Sequence, residues 1–268
     1  MDTILKEVIT LTVGDCAENH VQNQRLGQPL PQGQGFQRAD LEEIEKKVNG
    51  AMMVSLSNGE LPDACVLVLR NGINVIMGDG WKDLMYEEQK GLDWDKKVKM
   101  YGRVVNKHAR HNLCYDTVAQ EPCYEEGKGR IIALDTIPRT NALLEELKKI
   151  VGAKFENLKM EGNRYYSDKC GIGYHGDSER VRVCGIRLGT VGTPIHFQWF
   201  LQGEPVGDRI TIPLEPGDIY FMSEKAVGND WKRKKIYTLR HAVGAKKYTI
   251  IEKKEEKEEE KEEKNSNI

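Results

Sequence analysis

The run Ile195-His196-Phe197-Gln198-Trp199-Phe200-Leu201 decides the fold. Ile195, Phe197, Trp199 and Leu201 alternate with His196, Gln198 and Phe200, and a period of two marks a strand with one buried face. The same period continues on both sides. Val181 and Val183, Ile186 and Leu188, Ile210, Ile212 and Leu214, then Ile219 and Phe221 recur at every second position, with Gly or Pro between the runs. Short strands at regular spacing predict an antiparallel sandwich or jelly roll over about residues 160–251.

Upstream the pattern changes. Leu143, Leu144, Leu147, Ile150 and Val151 recur at helical spacing, with Pro138 before them and Gly152 after, which predicts a helix over 139–152. Leu41, Ile44 and Val48 sit among alternating acids and bases and predict an amphipathic helix over 39–49. Two apolar runs, Ala64 to Arg70 and Ile73 to Met77, flank Asn71-Gly72 and predict a β-hairpin. Residues 80–100 read as a helix and a loop, and the Gln- and Gly-rich stretch 18–37 reads as a loop. The expected class is α+β, built on a β core. The expected layout is an N-terminal extension over 1–78, a β domain over 79–251 and a charged tail over 252–268.

The chain has 268 residues, of which 39 % are hydrophobic and 31 % charged. That is long enough for a substantial core. No run approaches the ~18 apolar residues of a membrane helix, and the first residues lack the pattern of a secretion signal. Residues 252–264 hold eight Glu and five Lys, so the formal net charge of −2 hides a body at +1. A nearly neutral body gives no general signal for nucleic acid. The six cysteines form no C-x-x-C pair and read as free thiols of an intracellular protein.

The chemistry centres on Gly173-Tyr174-His175-Gly176-Asp177. On a strand, residues i and i+2 project to one side, so His175 and Asp177 can grip one ion. A third ligand from another strand would complete a two-His, one-carboxylate triad that leaves positions open on Fe(II). His241, in the last strand pair, is the preferred third ligand and His196 the alternative. His20, His108 and His111 are poorer candidates. His108, His111 and Cys114 form an H-x-x-H-x-x-C that could hold zinc, without a second cluster at zinc-finger spacing.

These residues resemble the AlkB-like branch of the Fe(II)/2-oxoglutarate dioxygenases over roughly 100–250. Asn163-Arg164-Tyr165-Tyr166 is similar to the family's N-x-Y segment. His175-Gly176-Asp177-Ser178-Glu179 is similar to H-x-D-x-D/E. Arg187-Leu188-Gly189 with Phe197-Gln198-Trp199-Phe200 resembles the following strand pair. Pro216-Gly217-Asp218-Ile219-Tyr220-Phe221-Met222 resembles the G-D strand, and His241 the distal iron ligand. The segment Ala109 to Tyr115 is similar to the start of a nucleotide-recognition lid.

The resemblance implies a double-stranded β-helix with preceding helices. It also implies Fe(2+) on His175, Asp177 and His241, with 2-oxoglutarate and O2 as cosubstrates. Asn163 and Tyr165 would bind 2-oxoglutarate, and Glu179 and Arg110 the substrate. Tyr115, Tyr166 and Trp199 could stack a flipped base, though core packing is their simpler role. The implied reaction is hydroxylation of a C–H bond, with oxidative demethylation of nucleic acid as one outcome. The same chemistry on a protein or a small molecule is the alternative, and a non-enzymatic β-sandwich binding module is another. No membrane partner is expected.

One departure matters. The family has an Arg after the distal His that pairs with the far carboxylate of 2-oxoglutarate, and no Arg follows His241. Lys247 and Thr249, on one face if that segment is a strand, are the expected substitutes, with Arg240 and Lys246 as alternatives. A Lys can meet a carboxylate as a point charge, without the fork of Arg.

Overall fold

A computed structural model describes residues 6–20 and 23–251; the charged tail lies outside them. The protein is mixed α+β and strand-rich, with two sheets stacked as in a β-sandwich and helices covering the outer face of the larger. The large sheet runs in the order Ala51–Ser55, Cys65–Leu69, Ile219–Met222, Val183–Gly189, Val8–Gly14, Lys159–Tyr165, His111–Asp116, Ile131–Ala133. The small sheet runs Gly171–His175, Thr238–Gly244, Ile195–Leu201, Glu204–Ile212. Its four strands pair antiparallel.

The period-two strands stand where the sequence places them, and the alternation sorts their side chains between two cores. In the large sheet, Ile186, Leu188 and Phe221 face the helices Arg38–Lys47, Gly72–Met77, Trp81–Lys90 and Pro138–Val151. Val183, Tyr220 and Met222 face the small sheet and pack with Phe197, Trp199 and Leu239. The helix expected over 139–152 forms with Pro in its first turn and Gly152 at its end.

Two expectations on the N-terminal third need correction. The Asn71-Gly72 hairpin is a strand followed by a helix, Cys65–Leu69 then Gly72–Met77. Asn71 does take a left-handed φ of 48°. However, Cys65–Leu69 is already paired on both sides, with Ala51–Ser55 and Ile219–Met222, so no edge remains for a returning strand. The chain instead coils, and Ile73 N–H donates to Gly217 O at 3.0 Å.

Nor do the described residues of the stretch 1–78 stand apart as an extension. Val8–Gly14 lies in the middle of the large sheet, bonded to Lys159–Tyr165 and Val183–Gly189. Ile9, Leu11 and Val13 enter the helix-side core. The intervening Thr10 and Thr12 line the space facing the small sheet.

Asp218 ties this junction. Its buried carboxylate accepts from Arg70 Nη1 at 2.6 Å, Asn71 N–H at 2.8 Å and Glu215 N–H at 2.9 Å. Removing the buried carboxylate strands the two backbone N–H groups and leaves Arg70 with Pro213 O alone. Asp218→Ala is expected to cost about 3 kcal/mol, seen as a fall of roughly 6–12 °C in Tm.

Candidate metal centre

His175 ends the edge strand of the small sheet and sits opposite His241 on the neighbouring strand. Residues paired across an antiparallel ladder project to the same face, and the two rings meet with centroids 4.5 Å apart. The chain leaves the strand at Gly176 and turns back, and Asp177 N–H donates to Val227 O at 3.1 Å. A side chain at Gly176 would stand 2.0 Å from Gly228 O, so the H-G-D spacing needs its glycine.

Asp177 Oδ1 lies 3.5 Å from His175 Nε2 and 3.7 Å from His241 Nε2. The three donor groups fall within 4.8 Å of one another and form a candidate metal-binding group. Donors about 2.1 Å from one ion at right angles stand about 3 Å apart, close to this spacing. His175 Nδ1 is 2.8 Å from Gly173 O and 3.1 Å from His241 O. Those carbonyls can only accept, so Nδ1 carries the hydrogen and the lone pair of Nε2 points at the centre.

Burial fixes the charge states. Desolvation pushes His175 down to about 4, and His241 well below its usual value, so both imidazoles are neutral at pH 7. The same burial raises Asp177, against the opposing pull of Arg180.

Arg180 is a buried hub for carboxylates. It meets Glu179 at 2.7 Å, Glu161 at 2.9 Å and Asp177 at 3.6 Å. Glu179 is therefore half of an ion pair, not a freely solvated charge at a strand end.

The triad opens into a cavity of about 420 Å³ between the sheets. Asn163, Tyr165, Arg110 and Glu179 all line it. Arg110 Nε donates to Asn163 Oδ1 at 2.6 Å.

Lys247 and Thr249 do not line it. They lie in a short helix, Lys246–Thr249, with Lys247 exposed and Thr249 Oγ1 donating to Lys246 O. A final strand has no place in the interior of either sheet. Both neighbours of Thr238–Gly244 are present, and the gap between Lys159–Tyr165 and Val183–Gly189 is filled by Val8–Gly14. Arg240 points to the other face of the small sheet and covers Phe200.

Sequence reasoning missed one of the cations that line the cavity. Arg187 is 2 % exposed, forms no ion pair among the described residues, and leaves Nε and Nη1 without a hydrogen-bond partner. Across the ladder stands Thr10, whose Oγ1 is also buried and unpartnered. The signal was in the sequence, since Ile186-Arg187-Leu188 sets a charge inside a strand apolar on both sides.

The other candidates are elsewhere. His196 is on the far face beside Thr211 Oγ1. His111 stacks on Tyr166 at 4.2 Å. His108, His111 and Cys114 form no metal-binding group among the described residues. Tyr115 is in the helix-side core and donates to Gln89 Oε1; Trp199 is in the inter-sheet core and donates to Leu56 O. The aromatic rings lining the cavity are Tyr165, Tyr220 and Trp231.

No protein-family model matches the chain. It is 45 % identical over 258 residues to "Uncharacterized protein R156" of Acanthamoeba polyphaga mimivirus, covering 92 % of this chain and 99 % of that protein. Among the described residues, no helix is long and apolar enough to cross a membrane.

Proposed function

The chain belongs to one family with that mimivirus protein, and from its own side chains we propose an Fe(II)- and 2-oxoglutarate-dependent dioxygenase on an AlkB-like jelly roll. One observation carries the reading. Two neutral imidazoles and a carboxylate converge in a cavity that also holds a buried, unpaired guanidinium. A nitrogen–nitrogen–oxygen set with open positions suits ferrous iron, and an unpaired buried Arg calls for a carboxylate.

His175, Asp177 and His241 would hold the iron. Arg187, joined by Thr10, would take the far carboxylate of 2-oxoglutarate. Asn163 and Tyr165 line the space between. Bound together there, iron and cosubstrate supply the oxidation 2-oxoglutarate + O2 + R–H → succinate + CO2 + R–OH. Arg180 restrains Asp177 from behind, so that Oδ1 stays aimed at the two imidazoles. The jelly-roll reading is supported by the antiparallel four-stranded small sheet stacked on the larger one around the candidate centre.

Because burial raises the Asp177 carboxyl, metal must displace a proton on the acid side of neutrality. Metal affinity is expected to rise from pH 5 toward pH 7, by up to about tenfold per unit, with one proton released per ion. Titration calorimetry in buffers of different ionisation enthalpy reads both. The direct test of function is succinate release from 2-oxoglutarate with Fe(II) and O2. Release by the natural chain and none by His175→Ala is expected; equal release by both would remove the assigned centre.

A further inference from the structure

Two buried side-chain amides stand in the cavity wall, and their polarity is set from outside it. Asn163, in Lys159–Tyr165, lies directly opposite Asn112, in His111–Asp116. Residues paired across an antiparallel ladder project to the same face, and Asn112 Nδ2 donates to Asn163 Oδ1 at 2.5 Å. Asn163 lines the cavity, and Asn112 lies behind it. The backbone of Asn112 is pinned on its other side, where Asp95 N–H donates to Asn112 O at 3.0 Å.

An amide side chain has a donor end and an acceptor end, and its neighbours decide which end faces which way. Three neighbours leave no choice here. Lys107 Nζ lies 3.0 Å from Asn112 Oδ1. Burial lowers its ammonium to about 8, so at pH 7 it keeps its proton and can only donate. Asn112 therefore turns its oxygen to Lys107 and its NH2 to Asn163. Arg110 Nε, also a donor only, reaches Asn163 Oδ1 at 2.6 Å. Glu161, paired with Arg180 at 2.9 Å, accepts from Asn163 Nδ2 at 3.3 Å. Both lone pairs of Asn163 Oδ1 are thus taken. The hydrogen of Nδ2 that Glu161 does not take is left for a ligand.

Resting on the oxygenase reading above, we propose that Asn112 and Lys107 are positioning residues for the 2-oxoglutarate site: Lys107 fixes Asn112, Asn112 fixes Asn163, and Asn163 offers the cavity a donor matched to an oxygen of the keto acid. Neither positioning residue touches the ligand. A ligand that brings an N–H to the same point meets no acceptor on Asn163, so the relay also selects against amine and amide analogues.

The test is calorimetric titration of 2-oxoglutarate into the Mn(II)-loaded full chain, beside a melting curve. Asn112→Asp exchanges an amide for a carboxylate of the same shape. A carboxylate there pairs with Lys107 and draws Asn163 Nδ2 to itself, which turns Oδ1 toward the cavity. Affinity for 2-oxoglutarate is expected to fall by at least about tenfold, the scale of one charge-assisted hydrogen bond. Mn(II) affinity and melting temperature are expected to hold, since the three metal ligands are untouched and the new carboxylate has Lys107 as its partner. Should that variant fail to fold, Lys107→Met reads the same relay. Without its fixed donor Asn112 takes either orientation, and losing half of the competent population weakens 2-oxoglutarate by about twofold. Lys107→Arg, which keeps a donor, is expected to bind as the natural chain does. Unchanged 2-oxoglutarate affinity in Asn112→Asp, or in Lys107→Met if that is the variant that folds, would overturn the proposal. So would a loss of Mn(II) affinity that matches the loss for 2-oxoglutarate. A natural chain that takes up Mn(II) but no 2-oxoglutarate would instead overturn the oxygenase reading, and the positioning role with it.

Discussion

His175→Ala is expected to weaken divalent-metal binding by more than about 100-fold, beyond the loss typical of an outer partner of a metal ligand. The reason lies in the ladder. His175 and His241 face each other across one antiparallel pair, and Asp177 is brought back to them by the turn at Gly176. Losing one imidazole leaves two donors where an octahedral ion needs a third fixed one, and no other His joins the group among the described residues. Folding should survive, because the imidazole stands at the end of an edge strand and belongs to neither hydrophobic core. Calorimetric titration with Mn(II), beside a melting curve, separates the two effects. Unchanged affinity would remove His175 from the centre.

The second large effect has opposite signs in two measurements. Arg187→Met is expected to weaken 2-oxoglutarate binding to the Mn(II)-loaded protein by at least about tenfold, the scale of one or more charge-assisted hydrogen bonds. It is also expected to raise the melting temperature of the ligand-free protein. A buried guanidinium with two unpartnered nitrogens is a cost to the fold, and an apolar side chain of similar length removes it. A merely structural Arg187 would give the reverse pattern, with lower stability and unchanged affinity. Thr10→Val should follow the same direction more weakly, since it removes one neutral hydroxyl.

Much of the β region is legible from periodicity alone, because each strand there has a buried face and a different opposite face. His175 and Asp177 are legible as a pair from their spacing, but the strand ends at His175 and it is the turn at Gly176, not the two-residue period, that brings Asp177 back to it. His241 follows from its place in the last strand pair. What escapes is whatever depends on which strand edges are free. The Asn71-Gly72 run looks like a hairpin until Ala51–Ser55 and Ile219–Met222 are seen on either side of Cys65–Leu69.

Lys247 and Thr249 fail in the same way. The interior of the large sheet offers their segment no place, because Val8–Gly14, more than two hundred residues earlier, stands between Lys159–Tyr165 and Val183–Gly189. That segment did carry its own signal. Ile9, Leu11 and Val13 alternate with Thr10 and Thr12, a strand with one apolar face and one hydroxyl face. Arg187 was masked by its neighbours: it stands in a strand whose other residues belong to the core, and only the cavity explains its charge.

The most direct measurement is anaerobic titration of the protein with Fe(II) and then 2-oxoglutarate, followed by visible absorption. A metal-to-ligand charge-transfer band is expected in the natural chain, absent in His175→Ala and shifted to higher 2-oxoglutarate concentration in Arg187→Met. A natural chain that binds neither partner and develops no band would contradict the account at its centre.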